Sequence, residues 1–165
     1  AYANLLKPDA RVVPGGVRLW AAPVSSEQLH GYYQVNEVCG FNVSPFNALR
    51  DSRLLQLNTH RFDYTELAEP FVALELKFGA DNTLSGGAEV SIACTESGQC
   101  DGFIFWYELL QDGSPFLSTS ADQPGTHWRQ AYLPTLSGLK RLEAGQAYTV
   151  KSSFERYVLW FEIGQ

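Results

Sequence analysis

At 165 residues and 18.4 kDa the chain fits one domain, and folding at this size buries roughly 70% of the unfolded surface, enough for one core without disulfide or metal staples. Its 45% hydrophobic and 18% charged residues are those of a soluble globular protein, and no apolar run approaches the roughly 20 residues of a membrane-spanning helix. A net charge of −6 argues against binding a nucleic-acid backbone and is compatible with a basic partner such as an arginine-rich peptide.

The chain begins at Ala1, contains no Met and shows no charged-then-apolar leader before its first strand, so it reads as a piece of a longer protein. Ala1 to Leu6 suit the end of a helix, which Lys7-Pro8-Asp9 stops because proline cannot continue it. Arg11 to Val13 are extended, and Pro14-Gly15-Gly16 marks a candidate junction before a strand over Val17 to Ala22, with Val17, Leu19 and Ala21 on one face. The expected division is a tail at 1–13 and a β domain at 14–165.

An arm at about 31–62 interrupts that domain, with the aromatic pair Tyr32-Tyr33 and a turn at Gly40-Phe41. Ser44 followed by Pro45 is a helix start, and Phe46, Leu49 and Arg53 fall on one stripe, which predicts a short helical excursion. From Glu69 the period is two: Val72, Leu74, Leu76 and Phe78 oppose Glu75 and Lys77, and Val90, Ile92 and Cys94 oppose Glu89 and Ser91. Phe103 to Leu109 is apolar on both faces, which predicts a central strand covered on each side, with Trp106 in the core and a hairpin turn at Asp112-Gly113. Two last strands, Gln146 to Ser152 and Tyr157 to Ile163, direct Tyr148 and Val150, and Tyr157, Leu159, Phe161 and Ile163, inward. Seven or eight short strands with turns between them predict an all-β fold, an antiparallel barrel or sandwich.

Between the central strand and the last two lies Ser118 to Pro134. Pro124-Gly125 suits a type II turn and delivers Thr126, His127 and Trp128 at the mouth of a strand over Thr126 to Leu133. Alternation there puts Trp128, Gln130 and Tyr132 on one face and His127, Arg129, Ala131 and Leu133 on the other, so that indole and imidazole diverge, one anchoring and one presented. From spacing alone the plainer reading is a core tryptophan beside an ordinary rim histidine.

Three cysteines, Cys39, Cys94 and Cys100, fit no common zinc spacing; a bridge between Cys94 and Cys100 across a hairpin is conceivable, and three reduced thiols suit a cytosolic or nuclear protein. There is no G-x-G-x-x-G, P-loop, H-E-x-x-H or nucleophile elbow, and Glu66, Glu69, Glu75, Glu89, Glu108 and Glu155 are scattered singly as solvated carboxylates. The chain is a poor candidate for a free-standing enzyme.

Several runs, in order, resemble the C-terminal half of a protein arginine methyltransferase: Leu5-Leu6-Lys7-Pro8-Asp9-Ala10-Arg11-Val12-Val13-Pro14, Gly40-Phe41-Asn42-Val43-Ser44, Ser118-Thr119-Ser120 and Thr126-His127-Trp128-Arg129-Gln130. The first is similar to the last hairpin of the methyl-donor-binding domain, the second to the base of the dimerisation arm, the last to the family's "THW loop". Phe105-Trp106-Tyr107 and the arm are most similar to members with two modules in tandem. The resemblance implies a barrel on the substrate side of a cleft that methylates arginine side chains of proteins with S-adenosylmethionine. The donor site and its paired glutamates lie outside this chain, which therefore holds no cofactor, no metal and no catalysis of its own. It further implies that Thr126, His127 and Trp128 contact the substrate, that His127 is the catalytic group, and that the arm mediates a dimer or pseudo-dimer. The partners implied are the missing catalytic domain and an arginine-containing protein. Two rival readings are a scaffold barrel, such as a degenerate second module, and a secreted β-sandwich binder.

Overall fold

The computed structural model describes residues 7, 10–32, 34–49, 54–79, 84–123, 127–135 and 138–164. In chain order its strands are β1 (Gly16–Ser25), β2 (Glu37–Val38), β3 (Phe41–Asn42), β4 (Leu55–Leu57), β5 (Thr65–Glu66), β6 (Phe71–Lys77) and β7 (Ser85–Ala93). There follow β8 (Gly98–Cys100), β9 (Gly102–Gln111), β10 (Ser114–Ser118), β11 (Gln130–Pro134), β12 (Lys140–Leu142), β13 (Ala147–Glu155) and β14 (Val158–Ile163). The expected all-β antiparallel fold is what forms. Eight of these strands run five residues or more, which matches the expected number, and the rest are two- and three-residue pairings.

A seven-stranded sheet runs β4-β11-β9-β1-β5, with β10 beside β9 and β6 beside β1, and a three-stranded sheet runs β14-β13-β7. One core lies between them. Ala21, Phe71, Ala73, Phe103, Phe105, Ala131 and Leu133 from the larger sheet meet Ile92, Val150 and Phe161 from the smaller. Phe103 is fully buried, with its ring centroid 4.6 Å from Phe161 and 6.5 Å from Phe71, a geometry in which aromatic pairs gain beyond area burial.

The opposite face of the larger sheet carries a second cluster, Val24, Leu29, Leu57, Ile104 and Tyr132. That is why the start of this stretch reads apolar on both faces: Phe103 and Phe105 enter the main core, while Ile104, with Trp106 at its edge, packs into the second cluster. Trp106 is a partial correction, since it is half-buried at the rim of this second cluster, parallel to Trp20 at 6.5 Å and 8°. Asp112 and Gly113 join β9 to β10 with φ of 52° and 81°, the positive pair that a type I′ turn requires.

Three expectations are corrected. The inward row Val72, Leu74, Leu76 is broken by an irregularity in the β1–β6 ladder: Leu19 pairs with Leu74 but Trp20 with Val72 and Ala21 with Phe71. The extra residue, Ala73, reverses the alternation, so Phe71 rather than Val72 enters the core. Tyr157 is 92% exposed because it sits in the β13–β14 turn after Arg156, whose φ is 55°. Finally, the arm is not one helical excursion. A short helix α1 (Glu27–Tyr32) leads into it, and it holds the β2–β3 hairpin turning at Cys39 and Gly40 and 3-10 turns at Ser44–Leu49 and Thr59–Arg61. Side chains replace regular backbone ladders here: the Asn47 amide bonds both the N–H and the carbonyl of Val35, at 3.0 and 2.8 Å.

The N-terminal expectation over Ala1 to Leu6, the Arg53 position of the arm stripe, and Thr126 with the Pro124-Gly125 turn lie outside the described residues. Cys94 and Cys100 are unbridged and buried, packed with Leu67 and Leu142 at one end of the core, while Cys39 is exposed. No helix among the described residues is long and apolar enough to cross a membrane.

Candidate functional site

β10 and β11 lie end to end along one edge of β9, paired at Leu109–Leu117 and at Phe105–Ala131. The chain leaves this edge at Thr119 and returns at Gln130, and the excursion between them carries His127 and Trp128. Thr119 holds the gap. Its N–H donates to the Tyr107 carbonyl at 2.9 Å, and its hydroxyl both accepts from the Tyr107 N–H at 3.1 Å and donates to the Tyr107 carbonyl at 3.2 Å.

A second buried residue locks the return. Gln130 donates through Nε2 to the Thr119 carbonyl at 2.6 Å and accepts at Oε1 from the Thr59 hydroxyl at 3.1 Å. Thr59, Thr119 and Gln130 are all buried, so their polar groups are costly unless paired, and here each pairs with the next. The network joins the base of the arm to both ends of the loop. Tyr64 also reaches Thr59; burial raises its phenol pKa and that hydrogen bond opposes the rise. Glu66 is likewise raised by burial, reinforced by the charges of Glu69 and Asp122.

Above this floor opens a cleft of about 450 Å³ lined by Asn58, His60, Ser120, Gln123, His127, Trp128 and Arg129 among others. The expected strand over 126–133 is shorter than predicted, because β11 begins at Gln130. His127 and Trp128 therefore do not diverge across a pleat. Their rings meet edge to face at 5.9 Å and 65°, and both residues are exposed. Trp128 is not a core anchor. It lies 6.0 Å from Tyr107 and retains 39% of its surface in solvent. The alternation holds inside β11, where Ala131 and Leu133 enter the main core and Tyr132 the second cluster.

The ionisable side chains lining the cleft are His60, His127 and Arg129; its described lining includes no carboxylate, although the whole chain carries a net −6. No group of three or more His, Cys, Asp or Glu suited to a metal ion occurs among the described residues. His60 was not singled out by sequence. Its Nε2 lies 3.1 Å from the Ala121 carbonyl, and Asn58 caps its turn by accepting the His60 N–H at 3.2 Å. Asn-Thr-His at a turn start is a legible cap, but its place beside the loop depends on a contact across 61 residues.

No protein-family model matches the chain. An arginine N(omega)-methyltransferase of Streptomyces achromogenes subsp. streptozoticus is 29% identical over 162 residues, covering 96% of this chain and 44% of the relative. The chain thus spans less than half the length of that relative. In the solved Trypanosoma brucei PRMT1 enzyme–prozyme heterotetrameric complex with AdoHcy, a chain shares the fold with a TM-score of 0.65 over 90% of this chain and 50% of its own length, at 15% identity. The chain is thus similar along nearly its whole length to an arginine methyltransferase and shares its fold with part of the PRMT1 chain, the likeness expected of the C-terminal barrel region of the protein arginine N-methyltransferase family.

Proposed function

We propose that the chain is the substrate-side barrel of an enzyme that transfers methyl groups from S-adenosylmethionine to arginine side chains of proteins. The observation that carries this reading is the loop itself: a buried network fixes both of its ends and leaves His127 exposed at the mouth of a cleft. The described residues do not fit the donor. They hold antiparallel sheets and short turns, with no strand–glycine loop–helix unit to cradle an adenosyl group, so in this reading the donor is bound by residues outside this chain.

Methylation of a guanidinium nitrogen asks the protein to hold that nitrogen in line and to surround it with negative charge. The described lining offers imidazole and guanidinium groups instead. In this reading the carboxylates come from the facing catalytic domain, and His127 orients one of them from the barrel side. In this reading Thr126 and Trp128 are the residues that contact the substrate. The test is His127→Ala in the longer protein: turnover is expected to fall about tenfold to a hundredfold, about 1.4 to 2.7 kcal/mol of transition-state stabilisation. Unchanged turnover would remove His127 from the site.

A second reading, a scaffold barrel such as the degenerate module of a tandem protein, is favoured by the arm, where Phe41, Phe46, Leu49 and Leu54 are all exposed. In either reading the arm is the dimer or pseudo-dimer contact and the protein is cytosolic or nuclear. Titration of S-adenosylmethionine into this chain separates both from a self-contained enzyme, since stoichiometric micromolar binding would contradict them.

A further inference from the structure

We propose that His60 is a positioning residue for the loop that presents His127, fastening the base of the arm to that loop. The inference rests on the methyltransferase reading for its functional meaning and on geometry for its mechanics. A carbonyl oxygen only accepts, so the 3.1 Å contact with Ala121 makes His60 Nε2 the donor. That proton is present both in the matching neutral tautomer and in the imidazolium, so the tie does not depend on charge.

The segment Asn58 to Asp63 is held from two sides. Toward α1, the Asp63 carbonyl accepts from the Ser26 hydroxyl at 2.6 Å, and the Asp63 side chain and N–H pair with Gln28 at 3.1 Å each. Toward the loop, Thr59 bonds Gln130 at the returning end and His60 bonds Ala121 within the excursion. These two ties differ in kind. The Thr59 bond is buried and belongs to the stability of the sheet edge, whereas the His60 bond is exposed and acts on the stretch between Thr119 and His127. Asn58 fixes the backbone of the turn that carries His60 by capping its N–H. A shift of the arm against α1 is thereby passed to the wall of the cleft that His127 shares.

The experiment uses this chain with two variants. His60→Leu removes the donor, and His60→Gln supplies an amide N–H of similar reach. In His60→Leu the ring signals of His127 are expected to shift in NMR spectra, and the Gln123 amide, which bonds the Ser120 carbonyl at 3.2 Å, is expected to exchange about two- to tenfold faster, the factor given by one ordinary hydrogen bond. His60→Gln should restore both. The melting temperature should stay within the scatter of the parent, because His60 is exposed. Unchanged His127 signals in His60→Leu, or identical behaviour of the two variants, would overturn the proposal. Because the coupling is read on the His127 ring and not on turnover, failure of the methyltransferase reading would leave this result standing.

Discussion

Trp128 and His127 touch each other, so a comparison of their alanine variants separates loop shape from presented chemistry. Truncating a fully buried indole typically costs about 3 to 5 kcal/mol; Trp128, at 39% exposure, should cost distinctly less, with the loss falling on the order of the loop and not on the core. His127→Ala should leave the melting temperature unchanged. A His127 variant destabilised as much as the Trp128 variant would make the imidazole a packing residue. The cysteines give a second residue-scale prediction. Burial raises the Cys94 thiol pKa and pushes that of Cys100 up to about 12, so neither is a ready thiolate near neutrality, while Cys39 is exposed at the tip of the arm hairpin. One thiol should react promptly in the native protein and three after denaturation. Fewer than three in denaturant would mean a bridge that the structure lacks.

At the scale of elements, α1 is capped by Ser26, whose hydroxyl accepts the Leu29 N–H at 3.2 Å, and Ser26 in turn donates its own N–H to the buried carboxylate of Asp101. Burial raises the Asp101 pKa, opposed in part by that N–H and by His30 and reinforced by Glu27. A carboxyl whose folded pKa is raised favours the folded state most when protonated, and that advantage is lost as pH rises through the folded value. Asp101→Asn keeps an acceptor for Ser26 and removes the charge. Its melting temperature relative to the parent should therefore gain as pH is raised from below about 3.9, the usual aspartate value, through the folded value. An equal pH dependence in the two proteins would count against a raised pKa. The sequence showed the β9 element well because both of its faces are buried, and it showed the β11 alternation inside the strand. It did not show the Ala73 irregularity, since a one-residue insertion leaves no compositional trace. Nor did it show the start of β11, which is set by Gln130 reaching Thr59 and Thr119 and not by local pattern. The arm was legible as an interruption, but its fold was not, because Asn47, Asn42 and Asn58 side chains set its turns.

For the whole molecule, the arm carries a run of exposed apolar side chains close together in sequence. Phe41 is 73% and Leu49 80% exposed, with Phe46, Leu54, Val38 and Val35 also exposed along the same arm. Exposed apolar side chains in such number mark an interaction face, and in this chain they stand against a net charge of −6 that opposes the approach of a second copy. The two effects respond differently to salt. Screening weakens the repulsion, with a Debye length of about 10 Å at 0.1 M falling to about 3 Å at 1 M, and leaves the apolar attraction intact. The chain should therefore self-associate in a concentration-dependent way, more strongly as salt is raised. Phe41→Ser with Leu49→Ser should abolish that association and leave the thermal transition of the barrel in place, because neither side chain belongs to either core cluster. Sedimentation that finds a strict monomer at the highest soluble concentration in high salt would show that the arm's apolar face does not pair with itself; association that persists in the double variant would move the contact elsewhere on the barrel.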